Sequence, residues 1–286
     1  EKELDLIKTK GFISYFLVNW DILNYARKMG YYYVGRGSGA NSIVEYLLRI
    51  TDVDPVSLDL YFERFINLFR QNPPDFDIDF SWKDRDDITR YIFERFGQSE
   101  NGLKVALLAT YSTFQHRAVM RELGKVFGLP GYEIEKIAAE TDQSKLDHIG
   151  RLIHRYSARL KDFPSHLSIH AGGILISDRP IHYFTATSLP PKGYPLTHFD
   201  MIIAEDVGLY KFDILSQRGL GKIKDSLEII SRNCPDVGDI DIHDFKRFKD
   251  DPVIRERLKN ADAIGCSYIE SPAMRMSLKK LQAQEY

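Results

Sequence analysis

Cysteine is scarce in this sequence of 286 residues, which contains only Cys234 and Cys266. These two residues are too far apart for a zinc knuckle and too few for a disulfide framework. A small secreted domain held together by disulfides is therefore excluded, and a reducing, cytoplasmic setting is expected.

Long apolar runs are also missing. No stretch reaches the ~18 consecutive apolar residues that a transmembrane helix needs. The charged start Glu1-Lys2-Glu3 is not followed by the apolar core and small-residue cleavage site of a signal peptide. The sequence thus predicts neither a membrane span nor secretion.

Positive charge is not in excess, because 39 Lys and Arg residues stand against 41 Asp and Glu residues, a formal charge of -2. This balance argues against a protein coated in basic residues to hold nucleic acid. What is present is 43% hydrophobic and 28% charged residues. That composition is enough to bury a sizeable core in one large domain or two ordinary ones.

The apolar pattern predicts a mixed α/β order that becomes helical and then returns to strands. Helices are predicted over 4–29 (as one helix or two), 41–50, 58–69, 84–97 and from a capping box of Ser112 and Gln115 to Gly128. Strands are predicted at 31–34, 75–80, 104–110, 172–177 and 208–215, and the chain after Gly219 reads as helices and loops. This order predicts a helical subdomain inserted into a sheet-based one.

The predicted strand at 75–80 alternates aspartate with apolar residues. Side chains two apart in a strand point the same way, so Asp75, Asp77 and Asp79 should share one face while the apolar residues enter the core. Neighbouring carboxylates repel, so we expect a raised pKa, a pairing with Arg or Lys, or a hard divalent cation such as Mg²⁺. Because aspartate is rare in strands, the metal site is favoured over a solvated strand face.

A second charged pair, Lys211 and Asp213, alternates with apolar residues in the last predicted strand. If the two strands are neighbours, Asp213 could complete a two-metal site for in-line phosphoryl or nucleotidyl transfer, and Lys211 could meet a phosphate. The alternative is an ordinary charge pair along one strand at the surface.

A glycine-rich segment at 35–42 joins a predicted strand to a predicted helix. Such a turn gathers backbone N–H groups and a helix N-terminus at one point, which suits phosphate. The segment lacks the Gly-Lys-Ser/Thr ending of a Walker A loop and matches a dinucleotide-binding pattern only loosely. Because residues 51–55 read as a loop rather than a strand ending in a ribose-binding acid, nicotinamide binding is a distant alternative.

Five motifs follow one another along the chain: Gly35-Arg36-Gly37-Ser38, Phe62-Glu63-Arg64-Phe65, residues 74–80, His170-Ala171-Gly172-Gly173 and Lys211-Phe212-Asp213. In this order they closely resemble the C-family bacterial replicative DNA polymerases, the α subunit of DNA polymerase III. The resemblance covers essentially the whole chain. It implies an α/β nucleotidyltransferase palm like that of DNA polymerase beta, with a mixed sheet, an inserted helical thumb and the start of a mainly helical fingers domain.

The domains implied by the resemblance are a palm at 1–110 and 169–218, a thumb at 111–168 and the start of the fingers at 219–286. The family's amino-terminal phosphoesterase-like domain, the rest of its fingers and its clamp-binding modules would lie outside this chain. We therefore expect a fragment of a longer polymerase, which alone could be inactive and whose replisome partners would bind through regions absent here.

Residue by residue, the resemblance implies that Asp75, Asp77 and Asp213 are the catalytic carboxylates that bind two Mg²⁺ ions, with Asp79 adjacent to them. Gly37 and Ser38 would touch the incoming deoxynucleoside triphosphate (dNTP), and Arg64 and Lys211 would neutralise its charge. The implied reaction is DNA-templated transfer of a nucleotide from dNTP to the primer 3′-hydroxyl, with release of pyrophosphate.

Two predicted helices in the implied thumb carry basic residues at a spacing of four. They are Arg117, Arg121 and Lys125 in one helix and Arg151, Arg155 and Arg159 in the other. In a thumb these residues would contact the phosphates of primer–template DNA without reading bases. The alternative is that both are ordinary solvated helix faces.

Two other functions stay open at this stage. One is a metal-dependent phosphoesterase using the three aspartates and a histidine, which would require neither a nucleoside triphosphate nor a primer. The other is a polymerase-like scaffold that binds DNA without synthesis. The sequence does not separate a main replicative enzyme from an error-prone relative.

Overall fold

The computed structural model describes residues 1–69, 73–97, 100, 102–238, 240–266 and 269–283. Within these ranges the fold is mixed α/β. The helices are α1 (Lys2–Thr9), α2 (Ile13–Lys28), α3 (Ile43–Leu47), α4 (Arg85–Phe96), α5 (His116–Val126), α6 (Gly131–Ala139), α7 (His148–Leu160), α8 (Met201–Asp206), α9 (Arg218–Asn233), α10 (Phe245–Lys249), α11 (Pro252–Lys259) and α12 (Pro272–Leu281). The strands are β1 (Tyr33–Arg36), β2 (Asp77–Ser81), β3 (Val105–Thr113), β4 (Pro164–Ile176), β5 (Thr187–Ser188), β6 (Leu196–Thr197) and β7 (Lys211–Gln217).

The chain forms two compact units. Unit 1 comprises the described residues of 1–70, 74–88 and 215–286, and unit 2 comprises those of 71–73 and 89–214. Unit 1 is therefore discontinuous along the chain, and most of unit 2 is inserted between two of its segments.

In unit 1, β1 and β2 pair antiparallel, with Tyr33 opposite Phe80 and Arg36 opposite Asp77. Residues 75–80, which include β2 up to Phe80, are called the acidic strand. Its apolar residues enter the core as predicted, since Phe76, Ile78 and Phe80 are buried. The rings of Phe76 and Phe65 stack with centroids 5.8 Å apart, and Phe16 meets Phe76 edge-on at 5.0 Å. This aromatic cluster anchors the acidic strand to helix α2.

The predicted helix at 58–69 is wrong. Its only helical part is a 3-10 turn at Phe62–Arg64, and Asp59 has a positive φ of 51°. Phe65 and Ile66 are fully buried. Since a short helix is marginal without tertiary support, burial of these residues in the aromatic cluster outweighs the local helical pattern.

Other elements of unit 1 agree with the sequence in type but differ in their bounds. The predicted helix over 4–29 is two helices separated at Gly11, which has a φ of 73°. The predicted helix at 41–50 shortens to α3, preceded by a 3-10 turn at Ser38–Asn41. Strand β2 begins at Asp77, so Asp75 lies just before the strand.

The carboxyl-terminal part of unit 1 is helical, as the sequence predicted. Helix α9 packs near β2, where Lys224 Nζ lies 3.3 Å from Asp84 Oδ1 and Lys83 forms an ion pair with Asp225. Asp84 is buried, so this ion pair holds the segment after β2 against α9. No helix in the described ranges combines the length and apolar character needed to cross a membrane.

In unit 2 the strand order is β7-β4-β3-β6-β5. Strand β4 is antiparallel to both β3 and β7, β3 is parallel to β6, and β6 is antiparallel to β5. The sheet is therefore mixed. Its core contains Leu108, Leu175 and Phe199, and all three are buried.

Three helices, α5, α6 and α7, lie between β3 and β4 along the chain, and α5 contacts both of the others. The predicted Ser112–Gln115 capping box is wrong, because β3 continues to Thr113 and includes Ser112. Helix α5 begins at His116, and Gln115 occupies the N-cap position without a capping side-chain hydrogen bond. Helix α5 is thus shorter at both ends than the predicted helix, which runs from the capping box to Gly128.

Candidate active site

The glycine turn, residues 37–41, lies against the acidic strand in unit 1. Gly37 has φ 90° and ψ -155°, a conformation that is essentially restricted to glycine. A Cβ atom on Gly37 would lie 3.3 Å from Asp77 Oδ2 and 3.4 Å from the carbonyl oxygen of Asp75. The glycine therefore lets the backbone of the turn approach the carboxylates closely.

The three aspartates differ in exposure. Asp75 is exposed, Asp77 is partly buried and Asp79 is buried. Arg36 donates from Nη1 to Asp77 Oδ2 at 3.0 Å and from Nε to Asp79 Oδ2 at 2.6 Å. Of the three ways in which the repulsion could be relieved, the structure shows pairing with arginine, which always carries its charge.

Arg36 is a site residue to which the motif Gly35-Arg36-Gly37-Ser38 by itself assigns no role. Its position opposite Asp77 follows from the antiparallel register of β1 and β2. Since local sequence patterns do not give the register between two strands, the pairing was not accessible from the motif alone. The basic residue between two glycines, in the segment that joins a predicted strand to a predicted helix, was the available signal.

The other predicted nucleotide-binding residues of unit 1 lie near the same turn. Ser38 begins the 3-10 turn Ser38–Asn41, and Arg64 is an exposed residue of the 3-10 turn Phe62–Arg64, which lies close to it. Unit 1 thus contains Gly37, Ser38 and Arg64 together with Asp75 and Asp77, and Gly37 lies next to Asp77.

Lys211 and Asp213 lie in unit 2, on β7, and form an ion pair with each other. The side chains are only 13% and 6% exposed, so the pair is not the surface pair considered as an alternative. Asp213 Oδ1 is buried and makes no hydrogen bond within the described part of the chain. A buried carboxylate oxygen in this situation has lost its water without gaining a donor.

The His-Ala-Gly-Gly motif shapes the strand beside Asp213. The register between β3 and β4 shifts after Leu107, and the His170 Nδ1 atom accepts hydrogen bonds from Gly173 N at 2.8 Å and Gly172 N at 3.3 Å. A ring nitrogen that accepts from N–H groups carries no proton, so the proton of the neutral imidazole is on Nε2. Gly173 pairs with Asp213, which makes His170 an organiser of this part of unit 2.

Metal binding can be judged from the donor atoms. No group of three or more His, Cys, Asp or Glu side chains in the described ranges is arranged to hold a metal ion. The predicted ligands nevertheless suit Mg²⁺ in kind, because all are carboxylates and hard cations prefer oxygen. The hydrogen-bond-free Oδ1 of Asp213 is an acceptor of this type. The residues present therefore fit a magnesium ion by their chemistry, and the assignment stays a prediction.

The six basic residues predicted to contact DNA lie on α5 and α7, and all six are exposed. Three have partners within unit 2. Arg121 Nη2 lies 3.4 Å from Glu135 Oε1, and Lys125 Nζ lies 2.7 Å from Glu122 Oε1. Arg151 Nη1 donates to the Leu146 carbonyl oxygen at 2.6 Å. The remaining members are Arg117, Arg155 and Arg159. The predicted helices are confirmed, whereas DNA contact is still a prediction.

Comparison with known proteins gives the family. Residues 1–216 match the family described as bacterial DNA polymerase III alpha NTPase domain. The error-prone DNA polymerase of Symbiobacterium thermophilum is 34% identical, with 100% of this chain and 27% of the relative aligned. That of Corynebacterium diphtheriae is 34% identical, with 99% and 26% aligned. The DNA polymerase III subunit alpha of Bacillus subtilis is 32% identical, with 98% and 26% aligned.

This chain spans about a quarter of the length of these relatives. The names of the relatives include both error-prone polymerases and a DNA polymerase III subunit. The family match itself extends over more than half of the chain. With the glycine turn and the acidic strand adjacent in unit 1, we conclude that the chain belongs to the bacterial DNA polymerase III alpha family.

Proposed function

We propose that this chain forms part of the catalytic core of a DNA-templated DNA polymerase. The observation that carries the proposal is the close approach of Gly37 to the Asp77 carboxylate. It supports nucleotidyl transfer because that reaction needs a phosphate-binding backbone next to carboxylates that can hold a metal. Membership of the family and the polymerase names of the relatives support it further.

In the proposed reaction, the oxygen of the primer 3′-hydroxyl forms a bond to the α-phosphorus of a dNTP. The bond from that phosphorus to the oxygen bridging to the β-phosphorus breaks, and pyrophosphate leaves. The hydroxyl proton passes to solvent. No covalent intermediate with the enzyme is formed, so the work of the protein is positioning and charge stabilisation.

The residues of the glycine turn would bind the triphosphate. Backbone N–H groups at Gly37 and Ser38 are suited to phosphate oxygens, and a side chain at Gly37 would obstruct their approach. Arg64 and Lys211 would neutralise the negative charge of the nucleotide. Arg36 would keep Asp77 and Asp79 side by side by offsetting their mutual repulsion.

Asp75, Asp77 and Asp213 would hold two Mg²⁺ ions, with Asp79 as an adjacent carboxylate. When bound, such ions lower the pKa of the primer hydroxyl and offset the charge of the leaving pyrophosphate. In this scheme Lys211, already paired with Asp213, offsets the negative charge of that carboxylate before substrate binds.

The basic residues of α5 and α7 would contact phosphates of primer–template DNA. These residues are Arg117, Arg121 and Lys125 of α5 and Arg151, Arg155 and Arg159 of α7. Their role would be to position the duplex rather than to read its sequence. Other replisome subunits would bind through regions outside this chain.

The test is Mg²⁺-dependent primer extension by a polymerase that carries this chain together with the segments its relatives add. Asp77→Asn should reduce extension at least about 100-fold, because it removes a ligand charge from the metal site. Asp178→Asn is the matched control, since Asp178 is an exposed carboxylate in unit 2 and should leave the rate unchanged.

If the Asp77→Asn polymerase extends the primer at the unmutated rate, the assignment of Asp77 as a metal ligand is wrong. The same reactions are run without primer and analysed for inorganic phosphate. Phosphate released without primer would support the phosphoesterase instead of the polymerase.

A further inference from the structure

Two carboxyl groups are buried behind the glycine turn, Glu3 on α1 and Glu45 on α3, with 3% and 2% of their surfaces exposed. Ser42 lies between them. Its hydroxyl donates to Glu3 Oε1 and accepts from the backbone N–H of Glu45 at 3.0 Å. Ile43 N donates to Glu3 Oε2 at 3.2 Å. Both oxygens of Glu3 therefore have donors.

The Glu45 carboxyl group touches the turn itself. A Cβ atom on Gly39 would lie 2.2 Å from Glu45 Oε2 and 2.5 Å from Oε1, so the absence of a side chain at Gly39 makes room for the carboxyl. Glu45 Oε1 makes no hydrogen bond within the described ranges. Glu3 has donors to both of its oxygens, whereas Glu45 Oε1 has none among the described residues, so a negative charge on Glu45 would be less well stabilised.

The surroundings of Glu45 and Glu3 affect the pKa values of the two carboxyl groups differently. Burial raises the pKa of Glu45 well above its ordinary value, and the nearby Glu3 carboxyl raises it further. Burial also raises the pKa of Glu3, but the donors from Ser42 and Ile43 oppose that effect. Helix α1 and the 3-10 turn at Ser38–Asn41 contact α3, and among their described charged groups Glu3 is the one whose charge acts on Glu45. Glu3 is therefore the better placed to carry the charge and Glu45 the proton.

We propose that Glu45 is a positioning residue, which in its protonated, neutral form supports the glycine turn from behind in the shape that receives the triphosphate. This inference rests on the proposed assignment of Gly37 and Ser38 to the nucleotide. A neutral group at this place is compatible with an anion bound on the other side of the turn. An ionised Glu45 would repel both that anion and Glu3.

The direction of the pH effect follows from the raised pKa of Glu45. The stability that depends on its proton is fully present below the unfolded value of about 4.5 and is lost as pH rises through the higher folded value. Glu45→Gln keeps the shape of the side chain and cannot ionise. Its advantage over the unmutated chain should therefore grow as pH rises.

The experiment compares the unmutated chain, Glu45→Gln and Glu45→Leu from pH 5 to pH 9. Thermal unfolding gives the Tm, and titration calorimetry with dATP and MgCl2 gives the Kd. We expect the Tm of Glu45→Gln minus that of the unmutated chain to increase steadily with pH. The Kd of the unmutated chain divided by that of Glu45→Gln should rise at least about threefold, and this ratio cancels the titration of the triphosphate itself.

Glu45→Leu is the second variant, because leucine is also always neutral, and the Tm difference between Glu45→Leu and Glu45→Gln should therefore not change with pH. Glu256→Gln, an exposed glutamate of α11, is the matched control and should show no growing Tm difference. A Tm difference that does not change with pH would overturn the inference. Binding of dATP with a flat Kd ratio would overturn it while leaving the proposed function intact, whereas no binding by any of these proteins would count against both.

Discussion

Gly37 and Gly30 both have positive φ angles, but only Gly37 has other groups pressed against it. Its missing Cβ atom would meet Asp77 Oδ2 at 3.3 Å, whereas a Cβ atom at Gly30 would meet nothing within 4 Å. The two glycines therefore separate the cost of backbone strain from the cost of crowding. At the scale of the residue, this contrast allows a matched pair of variants.

Gly30→Ala should lower the free energy of unfolding by about 1–2 kcal/mol, the cost of a left-handed conformation for alanine. Gly37→Ala should cost more, because its φ and ψ lie in a region nearly exclusive to glycine and its methyl group would crowd Asp77. Urea unfolding of the two variants measures the difference, and calorimetry should show weaker dATP binding for Gly37→Ala only. If Gly30→Ala and Gly37→Ala lose stability and dATP binding equally, the close approach of Gly37 to Asp77 is unimportant.

The site residues that the sequence could predict are those whose side chains follow a local pattern. The alternation at 75–80 correctly predicted which residues enter the core, since it depends only on the geometry of one strand. The pairing of Arg36 with two aspartates depends on the register of two strands, and the burial of Glu45 depends on α1, α3 and the turn meeting in space. Neither of these can be read from one segment.

Among elements, α7 offers the clearest test of DNA contact. Arg155 and Arg159 are exposed on this helix, one turn apart. Each phosphate contact releases counterions, so the double variant Arg155→Ala/Arg159→Ala should bind primer–template duplex more weakly and reduce the slope of log K against log salt by about 2. Fluorescence anisotropy over a series of salt concentrations measures both quantities.

Arg232→Ala is the control for this experiment, because Arg232 is an exposed arginine in the last turn of α9, in unit 1. It should leave the slope unchanged. If the α7 double variant behaves in the same way as this control, the basic residues form an ordinary solvated helix face.

The elements themselves were predicted well where they are amphipathic and long. Helix α4 spans Arg85–Phe96 within the predicted range 84–97, and β3 and β7 fall where apolar runs indicated strands. The helix at 58–69 failed because Phe65 is drawn into the stack with Phe76, which lies in another segment. Periodicity reports what a segment can form by itself, whereas this segment is fixed by a distant partner.

On the scale of the molecule, His243 joins two segments of unit 1 that are far apart in sequence. Its Nδ1 atom lies 2.8 Å from Asp52 Oδ2. The hydrogen bond to Asp52 raises the pKa of His243 above its ordinary value. Partial burial opposes this effect, and the negative charges of Asp52 and Asp241 raise the pKa further. The pairing therefore stabilises unit 1 most when the imidazole is protonated.

The stability contributed by this pair is fully present below the unfolded pKa of about 6.5 and is lost as pH rises through the higher folded value. His243→Gln should consequently lower Tm most near pH 6, and the loss should diminish toward pH 9. Calorimetric unfolding across this range is the measurement. His148→Gln, which changes an exposed histidine of α7, should show no such trend. A deficit of His243→Gln that stays constant with pH would contradict the assigned charge state.

The division into units was only partly accessible from the sequence. The pattern predicted helices inserted between strands, and α5, α6 and α7 do lie between β3 and β4. It did not indicate that the described residues of 89–214 form a compact unit with its own strands, because pairings such as β3 with β6 join residues far apart in the chain. Local patterns carry little information about such long-range pairing.

The discontinuity of unit 1 has a consequence for synthesis on the ribosome. Asp84 and its partner Lys224 are separated by the whole inserted segment of unit 2. At about 5–20 residues per second, roughly 7–28 seconds pass between the emergence of Asp84 and that of Lys224. The acidic strand must therefore wait, incompletely packed, while unit 2 can fold first. The order in which the two units can complete folding is thus the reverse of the order in which they begin along the chain.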